Sequence, residues 1–103
     1  MRIFFMVLIA ATFVASAAAA EPPRVLLQDY KCYLCHADVE TKAGPAFVDV
    51  AAKYRGNPNA VGAVAAVVRK GARGDAPWHM PPHPELSTAD AKAIARYILS
   101  LQN

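Results

Sequence analysis

The stretch "KCYLCHA", residues 31–37, holds both cysteines of a 103-residue chain, with one of its three histidines directly behind them. Four chemistries use two cysteines three positions apart: a redox disulfide, half of a zinc site, a structural disulfide, and covalent attachment of haem. A dithiol that exchanges disulfides sits at the start of a helix after a strand, where the helix N-terminus lowers the pKa of the attacking thiol. Cys32 and Cys35 instead fall at the end of a helical pattern, with no βαβ pattern around them. A zinc site could draw on His79 and His83, but these lie far beyond the usual spacing of about 12–20 residues. Pro81 and Pro82 between them also forbid the helical turn that presents such a pair together. A structural disulfide would close a tiny loop, stabilise little, and leave His36 without a role. Haem attachment uses every residue of the motif: both thiols become thioethers, and His36 is held under the iron as the proximal ligand.

A second ligand is then needed on the other face of the iron. After residue 20 the chain has one methionine, Met80, inside "GARGDAPWHMPPHPEL", residues 71–86. A long loop in a small domain tends to be functional. Prolines 81, 82 and 84 stiffen the exit from Met80 and leave its thioether little freedom to swing away. A lone methionine is otherwise a filler of core gaps; given the haem motif, Met80 is expected on the iron, with His79 and His83 as its rivals.

The elements that must position these groups read as helices. Residues 24–36 follow Pro22-Pro23 and carry Leu26, Leu27 and Tyr30. Residues 46–55 carry Phe47, Val50, Ala51 and Tyr54 and stop at Gly56. A third helix is expected with Asn57 as its cap and Pro58 in its first turn, ending at Arg69-Lys70-Gly71. The fourth opens on Ser87 with Asp90 three residues on, a capping-box pattern, and shows Ile94, Tyr97, Ile98 and Leu101 on one face. No period-2 alternation or hairpin turn stands out, so the domain reads as all-α.

The first twenty residues belong to another class. Met1-Arg2 is a short positive start, residues 3–14 are apolar apart from Thr12, and "ASAAAA" ends in small residues before Glu21. That is the layout of a secretory signal peptide cleaved after Ala20. An uncleaved anchor is the alternative, since residues 3–20 reach the short end of the 17–25 or so that span a bilayer. Cleavage leaves residues 21–103 as one domain, with ten basic against eight acidic side chains. That balance, without a basic run, argues against nucleic-acid binding. Export permits a disulfide, and so small a domain is expected to lean on a staple or cofactor.

With "CYLCH", "KAGPAFVDVAAKY" (residues 42–54), "MPP" and a capped helix ending "ARYILSL", the chain resembles the small bacterial class I c-type cytochromes of the cytochrome c-551 type. The similarity runs over residues 24–101. It implies a four-to-five-helix cytochrome c fold wrapped around one haem c, covalently bound through Cys32 and Cys35, with His36 and Met80 as axial metal ligands. It also implies that the Pro45 carbonyl orients His36. Two positions depart from the family. Trp78 stands two residues before Met80, nearer than the family's usual tryptophan, and is expected to line the pocket. His83 stands where an asparagine is common.

The resemblance implies a soluble periplasmic carrier, a monomer and not an enzyme, which shuttles one electron between respiratory redox partners through transient, charge-steered contacts. Lys31, Lys42, Arg69, Lys70 and Arg73 are candidates for a positive rim. The alternative is a haem protein whose Met80 is labile, serving as gas sensor or peroxidase. A zinc-binding structural module comes third.

Overall fold

A computed structural model of the chain describes residues 2–14, 21–74 and 77–102. Residues 2–14 form no helix or strand and are exposed, although most are apolar; the core is drawn from Leu26 onward. The cleavage expected after Ala20 lies outside the described residues. Among those residues, no helix is long and apolar enough to cross a membrane.

The elements in order are α1 (Pro23–Asp29), a 3-10 turn (Cys32–Leu34), α2 (Phe47–Lys53), α3 (Ala60–Lys70), a short β1 (Ala72–Arg73) and β2 (His79–Met80), and α4 (Thr88–Ser100). Among the described residues the architecture is therefore all-α apart from one two-residue ladder.

α4 is the hub, packing against α1, α2 and α3. Ser87 starts it as expected: its Oγ accepts the Asp90 N–H at 3.1 Å, satisfying one of the otherwise unpaired donors of the first turn. The buried face is Ala91, Ile94, Ala95 and Ile98, which is the expected helical period carried on a stripe shifted round the helix. Tyr97 is only half-buried, and Leu101 caps the end. Two alanines on this face let the neighbouring helices approach, and Ile94 fills the centre with Leu27 and Leu86.

Three expected boundaries are corrected. The first helix does not run on to His36. It stops at Asp29, Tyr30 caps it, and Lys31 takes the left-handed conformation (φ 58°) while its N–H bonds to Gln28 O at 3.0 Å. That is a C-terminal cap usually built on glycine, here built on lysine. The cysteines therefore sit on a separate 3-10 turn. α2 is shorter than expected at both ends; the chain turns at Tyr54 and leaves through Gly56 at φ 81°. In α3 the Asn57 side chain turns back onto the N–H of Asn59 at 2.8 Å, so Asn57 and Pro58 form a turn and the helix begins at Ala60.

The fourth correction is the ladder, where no strand was expected. β1 and β2 pair antiparallel with Ala72 opposite Met80 and Arg73 opposite His79. The ladder stops there because Pro81 and Pro82 have no N–H to continue it.

Ile94→Ala removes the central side chain of the hub. It is expected to destabilise the fold by about 2–5 kcal/mol, seen in chemical denaturation as a lower midpoint with an unchanged slope.

Candidate haem site

The segment that carries the cysteines folds tightly on itself. Cys32 O accepts the N–H groups of Cys35 (3.2 Å) and His36 (3.0 Å), which brings the two thiols and the imidazole onto one turn. Both thiols are free. Burial pushes the Cys32 thiol above its ordinary range, the opposite of what an attacking redox thiol needs.

His36 is then oriented from three sides. Its Nδ1 donates to Pro45 O at 2.7 Å; since a carbonyl can only accept, the hydrogen is on Nδ1 and Nε2 is left bare as a donor atom for a metal. Phe47 stacks on the ring, with centroids 4.9 Å apart and planes 21° apart. Gly44 lies beneath it: a Cβ there would run into His36 Cε1 and sit 2.7 Å from Nδ1 and 2.9 Å from Nε2. Backbone bonds from Gly44 N–H to Cys35 O (2.7 Å) and from Phe47 N–H to Ala37 O (3.0 Å) close this small unit.

Behind it, Asp38 accepts from two tyrosines, Tyr33 on Oδ1 and Tyr97 on Oδ2, both at 2.9 Å. The carboxylate thereby ties the cysteine turn to α4. Burial, the bond to Asp38 and the nearness of Tyr97 push the Tyr33 hydroxyl far above its usual value, so it remains a donor.

Met80 is half-buried and packs against the core from β2. Gly71, at φ 77°, faces it so closely that a Cβ would lie 2.5 Å from Met80 O and 2.9 Å from Pro82 N. After the prolines, His83 bonds twice to the end of α3, and Arg69 Nε donates to Leu86 O at 3.0 Å.

These groups line a single cleft of about 810 Å³, within the size range of sites that enclose a whole cofactor. Cys32, Cys35, His36, Pro45, Trp78 and Met80 all line it. Its inner wall is apolar, with Leu27, Phe47, Val64, Val68, Ile94 and Ile98. Leu34, 71% exposed, and Trp78, 59% exposed, also face this cleft, where an apolar ring would cover them. Two thiols, one imidazole with a bare nitrogen and one thioether around an apolar slot are a donor set that fits haem c.

A family model described as cytochrome c matches residues 21–102. The chain belongs to the cytochrome c family. It is 40% identical over 91 residues to cytochrome c-551 of Pseudomonas aeruginosa, covering 86% of each chain. It is likewise 40% identical over 99 residues to cytochrome c-552 of Nitrosomonas europaea, covering 88% of this chain and 93% of that one. The crystal structure of wild-type Nitrosomonas europaea cytochrome c552 superposes with a TM-score of 0.71 at 36% identity, over 77% of this chain and 99% of that one. The chain is thus a haem electron-transfer protein, and its haem c is bound covalently through the two cysteines of its single C-x-x-C-H.

Of the five cations considered for a rim, Lys31 and Arg73 line the cleft. Lys42 Nζ is held by Tyr33 O at 2.9 Å, Arg69 is turned to Leu86, and Lys70 stands outside the lining. Lys53 lines the cleft and was not singled out by sequence reasoning. Asp38 and the second function of Gly71 also escaped, because neither a carboxylate between two distant tyrosines nor a glycine under a loop 9 residues on leaves a local pattern.

Gly44→Ala is expected to push the His36 ring off Pro45. The holoprotein should show an altered Soret band and a shifted midpoint potential, whereas Gly62→Ala, where a Cβ meets nothing within 4 Å, should show neither. The raised Tyr33 hydroxyl contributes stability that is complete below its unfolded pKa near 10 and is lost as pH climbs beyond it. Above about pH 10, wild-type stability should therefore fall more steeply than that of Tyr33→Phe.

Proposed function

We propose that this chain is a periplasmic single-haem carrier in which His36 and Met80 are the two axial ligands, and that it passes one electron at a time between a donor and an acceptor protein. The observation that carries the reading is the bond from His36 Nδ1 to Pro45 O, which leaves Nε2 bare in the cleft that Met80 also lines. The haem supplies an iron that changes oxidation state by one electron without making or breaking bonds to a substrate. The protein residues fix its surroundings. Pro45 sets the His36 tautomer and makes the imidazole a better donor. Met80 supplies a neutral sulfur, which raises the potential relative to two histidines. The apolar wall from Leu27 to Ile98 keeps water out and disfavours the extra charge of the ferric state.

With both faces of the iron closed, no position is left for a substrate, so the chain is read as a carrier and not an enzyme. The ties on the Met80 segment favour this over the labile-methionine alternative. Residues 1–20 are read as a signal peptide removed on export. Partner contacts are read as brief and small, steered by Lys31, Lys53 and Arg73 at the cleft rim, with the protein itself a monomer.

The dithionite-reduced protein, expressed with export and haem maturation, should show sharp α and β bands that stay with the polypeptide through acid-acetone extraction. The ferric form should show a methionine–iron charge-transfer band that Met80→Ala abolishes, and the ferrous form should not bind carbon monoxide at neutral pH. Retention of the band in Met80→Ala would remove Met80 from the iron; ready binding of carbon monoxide by the wild type would overturn the closed-iron reading.

A further inference from the structure

We propose that His83 is the positioning residue that keeps Met80 in place, by fastening the far side of the methionine segment to the end of α3; this rests on the axial role proposed above for Met80. The last turn of any α-helix leaves carbonyls without partners. In α3 the Val67 carbonyl is taken by Gly71 N–H at 2.8 Å, as in an ordinary helix ending. The next two are taken by one residue of the loop: Val68 O accepts from His83 Nδ1 at 3.2 Å, and Arg69 O accepts from the His83 backbone N–H at 2.9 Å.

The position of this residue in the chain matters. On its near side Met80 is held by the ladder opposite Ala72. On its far side come Pro81 and Pro82, which have no N–H to give, so His83 is the first residue after Met80 whose backbone can donate. Two fixed φ angles join it to the methionine, so anchoring position 83 limits the movement of position 80. The backbone N–H is tied to Arg69 O and the His83 carbonyl accepts Leu86 N–H at 3.2 Å; the ring bond adds a second direct tie to α3. The Tyr30 ring meets the imidazole edge-on at 6.0 Å and backs it from α1. The bond is part-buried, so losing the ring donor costs the Val68 carbonyl a partner at a site partly shielded from solvent. Val68 O accepts, so the hydrogen of the ring is on Nδ1, the atom that an asparagine amide nitrogen would match in reach.

The test uses the ferric holoprotein. Cyanide reaches the iron only when Met80 leaves, so its binding rate reads the open fraction of the methionine segment. His83→Leu keeps bulk and removes the donor; it should bind cyanide about fivefold faster than wild type, the effect of one lost net hydrogen bond. His83→Asn should return the rate to near the wild-type value. Equal rates for His83→Leu and wild type, or equally fast rates for His83→Leu and His83→Asn, would overturn the proposal. Should His83→Leu fail to mature, nitrogen NMR of wild-type His83 decides: a hydrogen on Nδ1 is required, and a hydrogen on Nε2 alone overturns it. A wild-type protein without the methionine charge-transfer band would instead sink the axial reading of Met80, so the two failures are separable.

Discussion

A carbonyl oxygen cannot donate a hydrogen bond, and the contact between His36 and Pro45 O at 2.7 Å therefore decides which nitrogen of the imidazole is left to bind a metal. The surrounding structure serves that contact. Gly44 has no side chain because the ring occupies the space. Phe47, the first residue of α2, lies flat on the ring and is itself pinned by its N–H to Ala37 O. Asp38 and its two tyrosines anchor the turn to α4 from behind. The attachment side of the site is thus a short stretch of chain wound around one side chain, most of its bonds made between residues fewer than a dozen apart.

The methionine side is built on different terms. Among the described residues it is held by a two-residue ladder, a glycine contact, the His83 bonds and the Arg69–Leu86 bond, beside the packing of Met80 on the core and of the Tyr30 ring on His83. The hydrogen bonds among these reach to α3 or to the segment just after it, and Met80 itself is only half-buried where it meets the core. A segment secured chiefly by hydrogen bonds near the surface opens more readily than one secured by core packing. The two faces of the cleft therefore differ in stiffness, the histidine face being fixed by close packing and the methionine face by tethers.

Much of this was legible in the sequence because its causes are local. Cys32, Cys35 and His36 lie within five positions, and Ser87 and Asp90 within four, so type and spacing alone announce them. Met80 was legible by elimination, and the Gly44-Pro45 pair by its family resemblance. What escaped depends on chain segments meeting in space. The α1 boundary was missed because its left-handed cap is Lys31 and not glycine. The ladder was missed because two residues cannot show a period. Tyr97 read as part of an apolar stripe, since nothing in sequence shows that its hydroxyl reaches Asp38, 59 positions away. His83 read as a departure from pattern, and only the position of the α3 carbonyls gives it work.

The placement of α4 has a consequence for how the molecule comes to exist. It is the last helix in chain order, yet it supplies the wall against which α1, α2 and α3 all pack. A chain made or exported from its N-terminus therefore presents the cysteine segment long before the helix that will anchor it arrives, and non-local contacts of this kind form late. During that interval the segment that carries Cys32 and Cys35 lacks the bond that Tyr97 later makes to Asp38. The residues to be modified thus emerge early, and the helix that anchors their turn through Asp38 emerges last.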